Sequence, residues 1–169
     1  MLDLIIKGGQ VVTPWGVGDW EVAVQGEKIV GVAAPGTFTE EAGRVVDASG
    51  KIVVPGGIEP HAHIVAPFVA QGQNQSTAPP DQVSRAALFG GTTSVLDFAI
   101  VRPGSTIQAA IAERDARWRG NSYSDYGYHI MLLPDIAADV INPQVREAVQ
   151  AGYPSFKIFT TDIRPAHLT

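Results

Sequence analysis

Cysteine is absent from this chain of 169 residues, and long apolar runs are absent as well. Without cysteine, neither a disulfide nor a thiolate metal site can form, so any metal must be held by nitrogen and oxygen ligands. No stretch approaches the roughly 18 apolar residues of a membrane span, and the N-terminal "MLDLIIKGG" lacks the regions of a signal peptide. These absences predict a soluble, cytoplasmic protein without a membrane partner.

Basic residues are also few, and they do not form a run. Lys and Arg number 12 against 17 Asp and Glu, which gives a net charge of −5. A surface that binds a phosphate backbone requires the opposite balance. With 45% hydrophobic and 17% charged residues, the composition is that of a globular protein. We therefore expect no nucleic-acid partner.

Residues 1–54 predict short strands joined by hairpins. Runs such as "LIIKG", "EVAVQ" and "KIVVP" are rich in β-branched residues, and turn signals such as "QGEK" and "DASGK" separate them. About six strands in roughly fifty residues predict a small antiparallel sheet that needs a partner for its apolar face. We expect residues 1–54 to form one domain and residues 55–169 a second.

Beyond residue 55 the pattern alternates between strand and helix. Four apolar runs, near residues 58, 93, 126 and 155, are separated by three helical segments. Ser105 and Asn142 suit helix N-caps, and Pro143 suits a first helical position. A repeat of about thirty residues predicts parallel βα units, which fit either a complete open α/β sheet or the first half of a (β/α)8 barrel. The pattern leaves these alternatives open.

The most chemically distinctive stretch is "PGGIEPHAHI", residues 55–64. If it is a strand, side chains two residues apart share a face, and His61 and His63 can reach one cation. In that case, the Glu59 carboxylate is placed to orient an imidazole without binding the metal itself. The alternative is a pair of histidines that end a strand and face water.

A lysine in the fourth predicted strand, "SFKIF", is a candidate third ligand. Burial of Lys157 disfavours its ammonium and leaves a nucleophilic amine. Such an amine reacts with carbon dioxide to form a carbamate, whose two oxygens can bridge two metal ions. The alternative is a lysine with a buried stem and a charged head in water.

These segments together resemble the cyclic amidohydrolases, specifically the dihydropyrimidinase and hydantoinase branch of the amidohydrolase superfamily. The matching segments, in family order over nearly the whole chain, are "DLIIKGGQVVTP", "GKIVVPGGIEPHAHI" with Pro67 and Phe68, "GGTTSVLDF", "DYGYHI" and "SFKIF". The resemblance implies an α/β fold: the N-terminal part of a metal-dependent (β/α)8 TIM barrel, preceded by strands of a small β-sandwich domain. A complete barrel takes about 250 residues, so this barrel would be incomplete.

The resemblance also implies a binuclear metal site. Two divalent metal ions, expected to be zinc, would be held by His61 and His63 and bridged by carbamylated Lys157. The other histidine ligands and the aspartate that shuttles the proton are expected beyond Thr169.

The resemblance also bears on residues that are not expected to bind the metal. His129 and Asp162 are expected to line the substrate site, and His167 receives no metal role. Glu59 stands where the family has aspartate, and Asp162 lies near a position where hydantoinases carry a tyrosine. The contacts that orient the metal ligands, and the substrate preference, are therefore expected to differ from those of an ordinary dihydropyrimidinase.

The implied reaction is the ring opening of a small cyclic amide, a dihydropyrimidine or a hydantoin, to an N-carbamoyl amino acid. It is expected of a longer, homotetrameric form, in which the metals activate water. The 169 residues alone are expected to bind metal weakly and to be inactive. The alternatives are a non-catalytic relative, such as the metal-free collapsin response mediator proteins, or a remnant. Another substrate class, allantoin or dihydroorotate, is a further alternative.

Overall fold

A computed structural model of the chain describes residues 1–39, 41–133 and 136–160. The chain divides into two compact units, Met1–Pro55 and Gly56–Thr169. No helix in these described ranges has the length and apolar character that crossing a membrane requires.

Short strands make up the described part of the first unit. They are β1 (Leu2–Lys7), β2 (Gln10–Thr13), β3 (Gly16–Asp19), β4 (Glu21–Gln25), β5 (Lys28–Ala33), β6 (Ala42–Asp47) and β7 (Ile52–Val53). One sheet has the order β5-β4-β1-β6, and the other has the order β3-β2-β7. The predicted strands are therefore present, and β3 is an additional one.

The prediction of a purely antiparallel sheet was wrong, because β6 runs parallel to β1 and β7 runs parallel to β2. Phe38 lies between β5 and β6 and packs against the buried residues Leu2, Ile5 and Ala23. Phe38 thus lies against the core of the sheet, and β6 occupies the edge of β1 that β4 leaves open.

The second unit contains a parallel sheet with helices between its strands. Its elements are β8 (Gly57–Glu59), β9 (Pro67–Ala70), β10 (Gln73–Ser76), α1 (Pro80–Phe89), β11 (Thr92–Val101), α2 (Ile107–Trp118), β12 (Asp125–Leu132), α3 (Ala138–Gln150) and β13 (Phe156–Lys157). The sheet has the order β13-β12-β11-β8, and each neighbouring pair is parallel. This arrangement confirms the predicted α/β pattern.

The core of the second unit lies between the sheet and its helices. Val95 and Ala99 of β11 and Ile130 of β12 are almost completely buried. Trp118 of α2 and Ile141 of α3 pack into the same cluster. The helices therefore cover one side of the two longest strands.

Two predicted helix starts were wrong. α2 is capped by Thr106, whose hydroxyl accepts a hydrogen bond from the Ala109 N–H at 3.0 Å, and not by Ser105. α3 begins at Ala138, so Asn142 is not its cap and Pro143 lies inside the helix.

The early start of α3 has a physical reason in its packing. Ile141, which would precede a helix that began at Pro143, is buried in the core as part of the helix. Gln144 ties this part of α3 to α2, because its side-chain oxygen accepts from the Ile107 N–H at 2.9 Å. Its amide nitrogen donates to the Val140 carbonyl at 2.9 Å.

The antiparallel hairpin of β9 and β10 was not predicted. Its turn residues, Gln71 and Gly72, have φ angles of 52° and 73°. Positive φ at both central residues is the geometry of a tight hairpin turn. The sequence did not reveal the hairpin, because β10 reads "QNQS" and has no alternation of apolar and polar residues.

Candidate metal centre

The two histidines of "PHAH" lie just past the end of β8, and the prediction that they belong to the strand was wrong. Pro60 has no N–H to donate to the ladder, so the strand ends at Glu59. The chain nevertheless stays beside β11, because Ala62 donates its N–H to the Leu96 carbonyl at 2.9 Å.

The candidate ligands gather over one buried ring. Phe98 of β11 is 2% exposed, and its ring centroid lies 4.8 Å from that of His61 and 4.5 Å from that of His63. The two imidazole centroids are 5.2 Å apart. The Lys157 Nζ lies 4.4 Å from the Phe98 centroid. Phe98 thus forms an apolar floor beneath all three side chains.

Lys157 reaches the histidines from the opposite edge of the sheet. Its Nζ lies 3.3 Å from the Nε2 of His61, 96 positions earlier in the chain. Two strands stand between β8 and β13, a separation of about 14 Å in a flat sheet. Side chains stand roughly perpendicular to a flat sheet, so two side chains that far apart would not point toward each other. The sheet must therefore curve around Phe98.

The electrostatic surroundings favour a neutral His63. Its ring stacks on Phe98, and the resulting partial burial lowers the pKa of His63 below the usual value of 6.5. The positive charges of Lys157 and His61 lower this pKa further. The neutral imidazole is the form that binds a metal ion.

Glu59 and His129 contact the backbone of residues 60–64, which we call the histidine segment. The Glu59 carboxylate accepts the backbone N–H of His61 at 2.9 Å, whereas we predicted a contact with an imidazole. His129, on β12, places Nε2 2.8 Å from the Pro60 carbonyl and Nδ1 2.6 Å from the Ser155 hydroxyl. Both ring nitrogens of His129 are thus engaged by the protein.

Two further candidates from the sequence fall on residues that the structure does not describe. Asp162 and His167 lie outside the described residues. Within the described ranges, no three His, Asp or Glu side chains come together as metal ligands. Besides His61 and His63, the structure brings one further potential metal ligand to this place within the described residues, which is Lys157.

Known proteins resemble the chain over nearly its whole length. No protein-family model matches it. A D-hydantoinase of Rhizobium radiobacter is 35% identical over 94% of the chain and 33% of its own length. A D-hydantoinase of Streptomyces coelicolor is 34% identical over 92% of the chain and 33% of its own length.

A solved structure gives the same result. The crystal structure of a dihydropyrimidinase from Brevibacillus agri superposes with a TM-score of 0.80 at 34% identity, over 95% of this chain and 33% of that one. The chain matches the N-terminal third of hydantoinases and dihydropyrimidinases. This finding confirms the resemblance predicted from the motifs. The chain spans about a third of the length of the curated relatives it matches.

One buried acid of this hydantoinase-related chain was missed by the sequence reasoning. Asp97 on β11 is 1% exposed. Its carboxylate accepts from the Phe98 N–H at 2.7 Å, from the Trp118 indole N–H at 2.9 Å and from the Ile64 N–H at 3.3 Å. It also pairs with Arg114 at 3.4 Å. An acid inside the apolar run "SVLDFAIV" was the available signal, because such a group is buried only with partners.

A cleft of about 570 Å³ adjoins the candidate ligands of the hydantoinase-related chain. Its lining includes His63 and Lys157 together with Phe68 and Phe159. Its volume is in the range of small-molecule sites. His63 and Lys157 therefore face space that a small ring could enter.

Proposed function

We propose that this chain supplies the first metal-binding residues of a hydrolase that opens cyclic amides. The observation that carries the proposal is the convergence of His61, His63 and Lys157 over Phe98. The similarity to proteins named D-hydantoinase and dihydropyrimidinase supports the substrate class. The expected substrate is a dihydropyrimidine or hydantoin ring, and the expected product is an N-carbamoyl amino acid.

The donor set fits two zinc ions if Lys157 is carbamylated. An ammonium has no lone pair, so Lys157 cannot bind metal while it is protonated. The neutral amine can form an N–C bond with carbon dioxide and lose one proton, which leaves an anionic carbamate. Imidazole nitrogens and carboxylate-type oxygens are donors that zinc accepts. Bound zinc would lower the pKa of water and polarise the ring carbonyl.

The fold supports the same proposal at a larger scale. A curved parallel sheet with helices between its strands suits the first part of a (β/α)8 barrel. We propose that the second unit is this part, and that the first unit belongs to a β-sandwich domain. The full-length form is proposed to be a cytoplasmic homotetramer. The 169-residue chain alone is proposed to bind metal weakly and to hydrolyse nothing, since its described residues offer three of the ligands.

Metal content and turnover together test the proposal. Zinc would be measured in the 169-residue chain and in a family-length form that contains it, and both would be assayed with dihydrouracil and hydantoin. We expect bound zinc and turnover only in the longer form. Turnover by the short chain would contradict the proposed inactivity. A longer form without metal or turnover would instead favour a non-catalytic relative.

A matched pair of lysine variants tests the ligand assignment. Lys157→Arg keeps a positive charge but cannot carry a carbamate ligand, so we expect loss of zinc and of turnover in the longer form. Lys51→Arg makes the same change at an exposed lysine and should alter neither. Normal zinc content in Lys157→Arg would remove Lys157 from the site.

A further inference from the structure

Side chains of other elements hold the histidine segment at both of its ends. Past Glu59 it belongs to no strand, and its backbone contact with β11 is the bond from Ala62 to Leu96. Side chains from other elements bind the carbonyl of Pro60 and both backbone polar groups of Ile64. The orientation of the two imidazoles therefore depends on residues that are not themselves candidate ligands.

The Ile64 end is fixed by an ion pair. Asp97 accepts the Ile64 N–H at 3.3 Å, and the Arg114 guanidinium donates to the Ile64 carbonyl at 2.7 Å. Asp97 and Arg114 also pair with each other at 3.4 Å, with side chains 1% and 12% exposed. This end is anchored in the buried interior of the unit.

The Pro60 end is fixed by one histidine ring. The Pro60 carbonyl can only accept a hydrogen bond, so the Nε2 of His129 carries the hydrogen that joins them. On the other side of the ring, Nδ1 lies within hydrogen-bond distance of the Ser155 hydroxyl, at 2.6 Å. Pro60 directly precedes His61, and Ser155 lies two residues before Lys157. One ring thus joins the two segments that carry opposite sides of the candidate site.

We propose that His129 is a positioning residue, which sets the separation of His61 and Lys157 through its bonds to Pro60 and Ser155. This inference rests on the proposed metal-binding function. His129 binds neither metal nor substrate in this role, and both of its nitrogens are used within the protein. Its contribution is to hold the donors in place before a metal ion arrives.

Two amide variants separate the contacts of His129. Asparagine places its amide near the position of Nδ1, and glutamine places its amide near Nε2. His129→Asn should therefore lose the bond to Pro60, whereas His129→Gln should keep a donor there. In the longest natural form that contains this chain, we expect Co²⁺ affinity to fall about tenfold or more in His129→Asn. His129→Gln should stay within about threefold of the unsubstituted protein.

A double-mutant cycle distinguishes positioning from general stabilisation. In a His61→Ala background, His129→Asn should have little further effect on Co²⁺ affinity, because the ligand it positions is gone. An equal loss of affinity with and without His61 would overturn the proposal. So would equal Co²⁺ affinities of His129→Asn and the unsubstituted protein.

Amide hydrogen exchange supplies a readout without metal. His129→Asn should speed the exchange of the Ala62 amide, while Ala99 in the buried ladder of β11 serves as the internal control. If the unsubstituted protein binds no Co²⁺, the proposed metal function fails, and the exchange result alone decides whether His129 holds the segment. An unchanged Ala62 rate would then overturn the positioning role.

Discussion

Phe98 gives the candidate site its shape. Its ring contacts His61, His63 and His129 and lies beneath Lys157. An apolar floor keeps water away from one side of the donors, and it offers them no competing hydrogen bond. The position of this ring therefore matters both for stability and for the site.

Phe98→Ala should destabilise the second unit by about 3–5 kcal/mol, because it leaves a cavity beneath the site. Phe89→Ala is the matched control, since Phe89 is 85% exposed. Its change should stay within about 0.5 kcal/mol. Urea unfolding of the metal-free chain measures both. Equal losses at the two positions would contradict the assignment of Phe98 as the buried floor.

The sequence identified the candidate ligands better than it identified the residues that hold them in place. Histidine spacing and a lysine in an apolar strand made His61, His63 and Lys157 candidates, and the family resemblance implied their role as metal ligands. The partners of Ile64 could not be predicted, because Asp97 and Arg114 meet only after α2 packs on β11. Residue types indicate possible ligands, whereas tertiary packing determines which residues hold those ligands in place.

At the scale of elements, a tyrosine on β12 faces an acid on α2. The Tyr128 hydroxyl donates to the Asp115 carboxylate at 3.3 Å. Burial raises the pKa of Tyr128 above the usual value of 10, and the negative charge of Asp115 raises it further. The folded state therefore favours the protonated phenol.

This contact predicts a loss of stability at high pH. The stabilisation by Tyr128 should be complete below pH 10, where the unfolded chain is also protonated, and it should decline as the pH rises above 10. Tyr128→Phe cannot ionise, so its unfolding free energy should fall less between pH 9 and pH 11. Urea unfolding at both values measures the difference. A steeper decline in Tyr128→Phe would contradict the prediction.

Some helices and strands were predicted correctly from the sequence, and others were not. The long strands β11 and β12 and the helix α1 followed from apolar runs and from glycines at the helix end. The start of α3 did not, since Pro143 usually marks a first turn but here lies within the helix. Burial of Ile141 and the bond from Gln144 to α2 outweigh that local preference.

At the scale of the whole molecule, the parallel sheet has two open edges. Within the described residues, the outer sides of β8 and β13 pair with no other strand. Ile58 and Ile158, at these two edges, are 66% and 67% exposed. Open apolar edges promote association between chains.

We expect the isolated chain to self-associate, and charges at the edges should reduce the association. The combined variant Ile58→Lys/Ile158→Lys should raise the monomer fraction measured by light scattering after size-exclusion chromatography. Val149→Lys, at an exposed position of α3, should have a smaller effect. An equal or greater effect of Val149→Lys would show that the edges do not drive association.

The parallel order of this sheet was predictable from the repeat, but its curvature was not. Alternating strands and helices predict consecutive parallel strands, and β11, β12 and β13 follow one another in the sheet. Curvature depends on side-chain packing around Phe98, for which the repeat contains no signal. The repeat alone therefore left an open sheet and a barrel as alternatives, and the expectation of a barrel came from the family resemblance.

The sequential strand order also determines the order in which the strands can join the sheet during synthesis. Each strand from β11 onward joins the edge formed by the preceding strand, so the sheet can grow as the chain leaves the ribosome. Lys157 follows His63 by about 90 residues, which is a delay of roughly 5 to 20 seconds at usual translation rates. During that interval the imidazole pair exists without its lysine partner. A metal ion captured by the nascent histidines would therefore be in place before Lys157 joins them.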